Sequence, residues 1–135
     1  MARAEHLPIY RASFDFAVWI EKTVRGFPRY HKYTIGTDLR NLSRRVLTLI
    51  SRANSTQDRL PLLLDIREAL EEMKVVIRLG KEVETFSSFK SFQYACEQVV
   101  AIARQNEGWI KQTRASGHGQ NRAETAQAVA DPRAP

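Results

Sequence analysis

Apolar residues return along this chain at alternating gaps of four and three in three long stretches. Ile35, Leu39, Leu42, Val46, Leu49 and Ala53 form the first, and Leu63, Ile66, Leu70, Met73, Ile77 and Gly80 the second. Phe89, Phe92, Cys96, Val99 and Ala103 form the third. An α-helix turns once in about 3.6 residues, so this spacing keeps one narrow apolar seam on one side, and each segment should pack lengthwise against neighbours. A looser version, Phe16, Ile20, Val24 and Phe27, precedes them. Four such segments predict an all-α fold, an antiparallel up-down four-helix bundle over residues 1–113, with short connections that make sequential helices neighbours.

Breakers and caps give the boundaries. Pro8 suits the first turn of the first helix, where its missing N–H would be unpaired anyway, and Gly26 with Pro28 ends it. The connection from Phe27 to Tyr33 mixes aromatic and basic residues. Thr34 should cap the second helix, which runs to about Asn54 and is expected to be the most buried, since Leu47 and Ile50 widen its stripe. Asp58 should cap the third, with Pro61 in its first turn, and that helix continues to roughly Val83. Ser87 or Ser88 should cap the fourth, which extends to about Thr113 and is weakened near its end by Gly108. From 114 to 135 bulky apolar residues are almost absent, and a disordered tail is expected.

Composition narrows the class. The lone Cys96 cannot form an internal disulfide and lies in the apolar register, so it reads as a small buried hydrophobe. No stretch approaches the roughly 20 apolar residues that span a bilayer, and the first residues lack the apolar core of a signal peptide. A soluble, cytoplasmic protein is expected. Histidines at 6, 31 and 118 have no partner at useful spacing, no Cys/His or His/Glu pair has metal-ligand spacing, and the glycines form no phosphate-cradling loop. The residues therefore point to no catalytic site, cofactor or metal. Glu68, Glu71 and Glu72 read as a solvated face of the third helix.

Charge is the positive signal. The chain carries a formal +6, and residues 1–56, with ten Lys/Arg against four acids, account for all of it. Fifteen of the 21 basic residues are arginine, whose planar fork matches phosphate and carboxylate groups. Arg40 and Arg44 make one row on the second helix, Arg45 and Arg52 another, and Arg29 and Lys32 stand in the preceding connection beside Tyr30 and Tyr33. Arginine rows neutralise phosphate backbones and tyrosines stack on unpaired bases, so Arg29, Lys32, Arg40, Arg44, Arg45 and Arg52 are the candidate nucleic-acid-binding residues. The alternative is that the arginines pair with acids of the third helix and the tyrosines seal the end of the bundle. Trp19 and Trp109 lie off the tightest seams and suit either an interface or a cap on the core.

Several short runs resemble one family. Leu7-Pro8-Ile9-Tyr10, Phe27-Pro28-Arg29, Tyr33-Thr34-Ile35-Gly36, Ala53-Asn54, Leu70-Glu71-Glu72-Met73, Ile77 to Glu82 and Gly108-Trp109-Ile110 together resemble the accessory variability determinant (Avd) proteins of diversity-generating retroelements. The likeness covers residues 7 to about 113. The bundle proteins encoded within ribosomal-RNA intervening sequences are similar too, but usually close the second helix with Glu-Gly where this chain has Ala53-Asn54. The Avd resemblance implies a non-enzymatic, basic, barrel-like homopentamer. It implies binding to the element's reverse transcriptase and template RNA or cDNA, in support of mutagenic reverse transcription. A protein-interaction bundle that touches no nucleic acid is the competing expectation.

Overall fold

The computed structural model describes residues 3–128, with side chains through Gly117. After a single 3₁₀ turn, Ala4–His6, the helices are α1 (Pro8–Arg25), the one-turn α2 (Arg29–Lys32), α3 (Ile35–Asn54), α4 (Leu60–Glu82) and α5 (Phe89–Ala128). The four long helices close a ring in which α1 packs on α3, α3 on α4, α4 on α5 and α5 back on α1. Late residues of one helix meet early residues of the next: Glu21 meets Arg40, and Trp19 lies against Tyr94. Neighbours are therefore antiparallel. The connection expected between the first two long helices contains α2, because Pro28 starts a fresh turn, accepting the N–H groups of both His31 and Lys32 at its carbonyl.

The core is one apolar cluster along the bundle axis. In α3 every residue of the Ile35–Ala53 run is 7 % exposed or less, and Ile50 is fully buried. α3 has nine buried residues, more than α1 or α4. The Leu63–Gly80 run of α4 is buried throughout, as are Phe16, Ile20, Val24 and Phe27. The seam of α5 departs from expectation. Phe89 is 64 % exposed, Cys96 and Ala103 lie at the flank, and Ala95, Val99, Ile102, Asn106 and Ile110 point inward. Asn106 is fully buried; its Nδ2 donates to the Leu63 carbonyl at 2.9 Å, while its Oδ1 is buried without a hydrogen-bond partner, so the amide is half satisfied.

Of the expected caps, one is in place without a capping bond and one is displaced. Thr34 stands at the N-cap of α3, but its hydroxyl donates backward to the His31 carbonyl at 3.3 Å and caps nothing. Asp58 lies one residue too early, because Arg59 takes the N-cap of α4. Ser88 does cap α5, accepting the Ser91 N–H at 3.1 Å. α4 ends in a Schellman turn. The Thr85 N–H reaches back to the Gly80 carbonyl and the Glu84 N–H to that of Lys81, with Glu84 at φ 60°, a left-handed position that glycine usually fills. That turn delivers Phe86 to the end of the bundle, edge-on to Phe27 at 5.4 Å and to Phe92 at 6.0 Å.

α5 does not stop near Thr113. Its backbone continues as helix to Ala128, since Ala, Gln, Glu and Arg sustain a helix and no proline interrupts before 132. Burial ends earlier: no side chain from Lys111 to Gly117 is buried. Of the expected tail, 129–135 lie outside the described residues, as do the side chains from His118 onward. No described helix is long and apolar enough to cross a membrane.

Candidate functional site

The six candidate cations fall into three pairs. Arg29 and Lys32 sit on α2, at the corner where α1 hands over to α3; Arg29 is exposed and Lys32 half-buried. Tyr30 and Tyr33 flank them and are 84 % and 69 % exposed, so they do not seal the bundle. The Phe27–Phe86–Phe92 cluster holds that end, and the tyrosine rings stay outside.

Arg40 and Arg44 lean toward α1. One carboxylate grips both: Arg40 Nε donates to Glu21 Oε2 at 2.9 Å, and Arg44 Nη2 to Glu21 Oε1 at 2.8 Å. The expected alternative partners, acids on α4, do not pair with them. The reason is topological. Centring the α1–α3 hairpin on the connection near residue 30 sets Glu21 opposite Arg40, just as it sets Val24 against Gly36. Neither guanidinium is lost to the interior, since the Arg40 side chain keeps 36 % of its surface and that of Arg44 58 %. Three ions in contact nevertheless leave this flank with one net positive charge instead of two.

Arg45 and Arg52 are exposed and, among the described residues, form no ion pair. They sit about 100° around α3 from Arg44 and Arg40, on the side facing α4. Arg45 borders a shallow groove shared with Glu68, Glu71, Glu72 and Val75. The three glutamates are exposed, as a solvated face should be. Between the two rows the outward face of α3 is Thr37, Asn41, Thr48 and Ser51, all neutral hydrogen-bonding side chains. Asp38 is the single acid exposed on α3. Arg25, exposed on the last turn of α1 just before α2, belongs beside this corner and was not among the expected residues. Its position inside a helix, away from the arginine rows, concealed it.

The family model described as bAvd-like matches residues 9–113. The chain belongs to that family. No curated protein matches it.

Within the bAvd-like span, the short runs that drew attention in the sequence have packing roles. A Cβ on Gly36 would come 2.6 Å from Val24 Cγ1 and 3.4 Å from Phe27 Cδ2, so only glycine lets α3 start this close to α1. Gly80 is close but less tight: a Cβ there would lie 3.1 Å from Phe86 Cε2 and 3.4 Å from Ile35 Cγ2. Ala53 is fully buried at the far end of α3. Trp19 and Trp109 act as partial caps on the core. Trp19 stacks on Phe16 and tilts against Tyr94, while Trp109 packs on the core with the Arg59 guanidinium 5.6 Å from its ring. The Arg59–Trp109 pairing was not legible, since fifty residues and a bundle topology separate the two.

Cys96 is half-buried on the rim instead of fully interior. Burial pushes its thiol up, against the pull of Lys81 and Arg78. Among the described residues no group of three or more His, Cys, Asp or Glu is gathered to hold a metal ion.

Proposed function

We propose that this chain is a non-enzymatic accessory protein of a diversity-generating retroelement. It binds the element's reverse transcriptase and its template RNA or cDNA in the cytoplasm, and supports mutagenic reverse transcription. Membership of the bAvd-like family supports the accessory role. The observation that carries nucleic-acid binding is the outward face of α3, where Arg44, Arg45 and Arg52 stand among Thr, Ser and Asn, continued at the corner by exposed Arg29, Tyr30 and Tyr33. Such a face neutralises phosphates with little demand on sequence and offers rings to unpaired bases.

Assembly into a homopentamer is part of the same reading. It is supported by an apolar row on the outer side of α4 and its C-cap, where Val75, Leu79 and Val83 follow one another at every fourth residue and are 66 %, 52 % and 39 % exposed. The engagement of Arg40 and Arg44 by Glu21 favours a second reading, in which the bundle meets only an acidic surface of the polymerase.

Fluorescence anisotropy with a labelled RNA separates the two. Tight binding at low salt that weakens steeply as salt rises is expected, because each neutralised phosphate contributes a slope of about 0.7–0.9. Arg44→Glu/Arg45→Glu/Arg52→Glu should flatten that slope by about 2 and weaken binding more than about ten-fold, with the helical circular dichroism unchanged. RNA affinity that is indifferent to the triple change removes α3 from the interface. No binding at low salt leaves the protein-only reading.

A further inference from the structure

A second basic and aromatic site stands at the opposite end of the bundle from α2. Between the α3–α4 connection and the part of α5 that runs past the core lies an open cleft of about 1140 Å³, lined by Gln57, Asp58, Arg59, Trp109, Gln112 and Arg114 among others. Its floor is the half-buried indole of Trp109, with the Arg59 guanidinium 5.6 Å from the ring centroid. Ligand pockets usually enclose roughly 300–1,000 Å³. A cleft just above that range and open to solvent suits a strand passing through better than a small molecule held inside.

The lining combines three chemistries. Trp109 and Arg59 present a flat π-cation pair, against which any base can stack. Gln57 and Gln112 carry amides that both donate and accept, as base edges do. Arg114, exposed on α5, offers a fork for phosphate, and Asp58 is the one carboxylate among these residues. Approach to the cleft is charged as well. Arg45 and Arg52 stand seven residues apart on α3, and Arg59 stands at the N-cap of α4, across the α3–α4 connection.

We infer that this cleft binds an unpaired nucleotide segment, one base stacked on the Arg59–Trp109 pair and the adjoining phosphate on Arg114, at the end of a track that runs along α3. The inference rests on the nucleic-acid reading above and adds a defined single-strand site to it.

The test follows Trp109 emission while anisotropy of a labelled ten-nucleotide RNA reports binding. Trp19→Phe removes the other indole; because Trp19 stacks on core rings, the unsubstituted protein labelled with fluorotryptophan provides a second readout by fluorine NMR, with two resolvable signals. Single-stranded RNA should quench Trp109 in step with the anisotropy, and a duplex of equal length should not. Arg59→Gln/Arg114→Gln, which keeps a polar side chain at one half-buried and one exposed position, should weaken single-strand binding about ten-fold. If RNA binds while Trp109 stays silent and the double variant binds normally, the cleft is not the site, although the reading above survives. If a polyglutamate of matched charge perturbs Trp109 as strongly, acidic peptide and not base stacking explains the cleft. If no RNA binds at low salt, both readings fail together.

Discussion

α3 and α5 are spelled in the same three-and-four rhythm, yet only α3 carries its seam where the large apolar residues first suggest it. On α3 the positions between the aliphatic residues are Arg, Asn, Ser and Thr, so a rotated helix would bury charge, and one orientation wins. On α5 two seams compete. One runs through Phe89, Phe92, Cys96, Val99 and Ala103, the other through Phe92, Ala95, Val99, Ile102, Asn106 and Ile110. The second prevails: it buries Ile102 and Ile110 where the first would bury Phe89, Cys96 and Ala103, and the Asn106 Nδ2 it brings inside finds the Leu63 carbonyl, though its Oδ1 finds no partner. A polar residue inside a seam thus hid the seam, and a large aromatic at the N-terminus of the helix advertised the wrong one.

The sharpest way to break this contrast is to truncate one residue from each rhythm. Leu39→Ala on α3 removes a fully buried side chain and should cost about 2–5 kcal/mol in urea unfolding. Phe89→Ala on α5 removes a larger side chain that is 64 % exposed and should stay within about 0.5 kcal/mol. Comparable losses at the two sites would mean that the second seam is not the one the folded protein uses.

Next in size is the hinge between α1 and α3. Gly36→Ala pushes a methyl to 2.6 Å from Val24 Cγ1, and the overpacking should cost about 1–3 kcal/mol. Val24→Ala should recover part of that loss when the two changes are combined, because the clash is with that side chain; strict additivity would place the strain elsewhere. Smaller still, and of opposite sign, are two glycine exchanges. Glu84 occupies a left-handed position, and nothing lies within 4 Å of the Cβ that Gly108 lacks. Glu84→Gly and Gly108→Ala should each raise stability by about 0.5–1 kcal/mol.

The bundle, the first three seams and the Ser88 cap were legible because each is a local matter of spacing or of one side chain beside one turn. The candidate site was legible only in part. Six cations could be named, but Glu21 belongs to another helix, and its hold on Arg40 and Arg44 appears only when the α1–α3 hairpin is folded at α2. Asp58 missed its cap by one residue for a similar reason: Pro61 is accommodated as the second residue of α4, which moves the cap to Arg59. The backbone's helical continuation to Ala128 carries no apolar seam, so the boundary expected near Thr113 marks where burial ends and not where the helix does.

The smallest effect lies in the ion pair that joins α4 to α5. Glu107 on α5 receives a fork from Arg67 on α4, Nε to Oε2 at 2.9 Å and Nη2 to Oε1 at 2.7 Å. Those hydrogen bonds, outweighing a slight burial and helped by the charges of Arg67, Arg114 and Lys74, hold the Glu107 carboxyl below the usual carboxylate range. A carboxyl that binds its proton less tightly when folded adds stability that is complete above the unfolded value of about 4.3 and is lost as pH falls through the lower folded value. Glu107→Gln should therefore melt below the unsubstituted protein at pH 7, and the gap should close as acidification passes through the lowered folded value. A gap of constant size across that range would assign the loss to packing at the α4–α5 seam and not to the charge of Glu107.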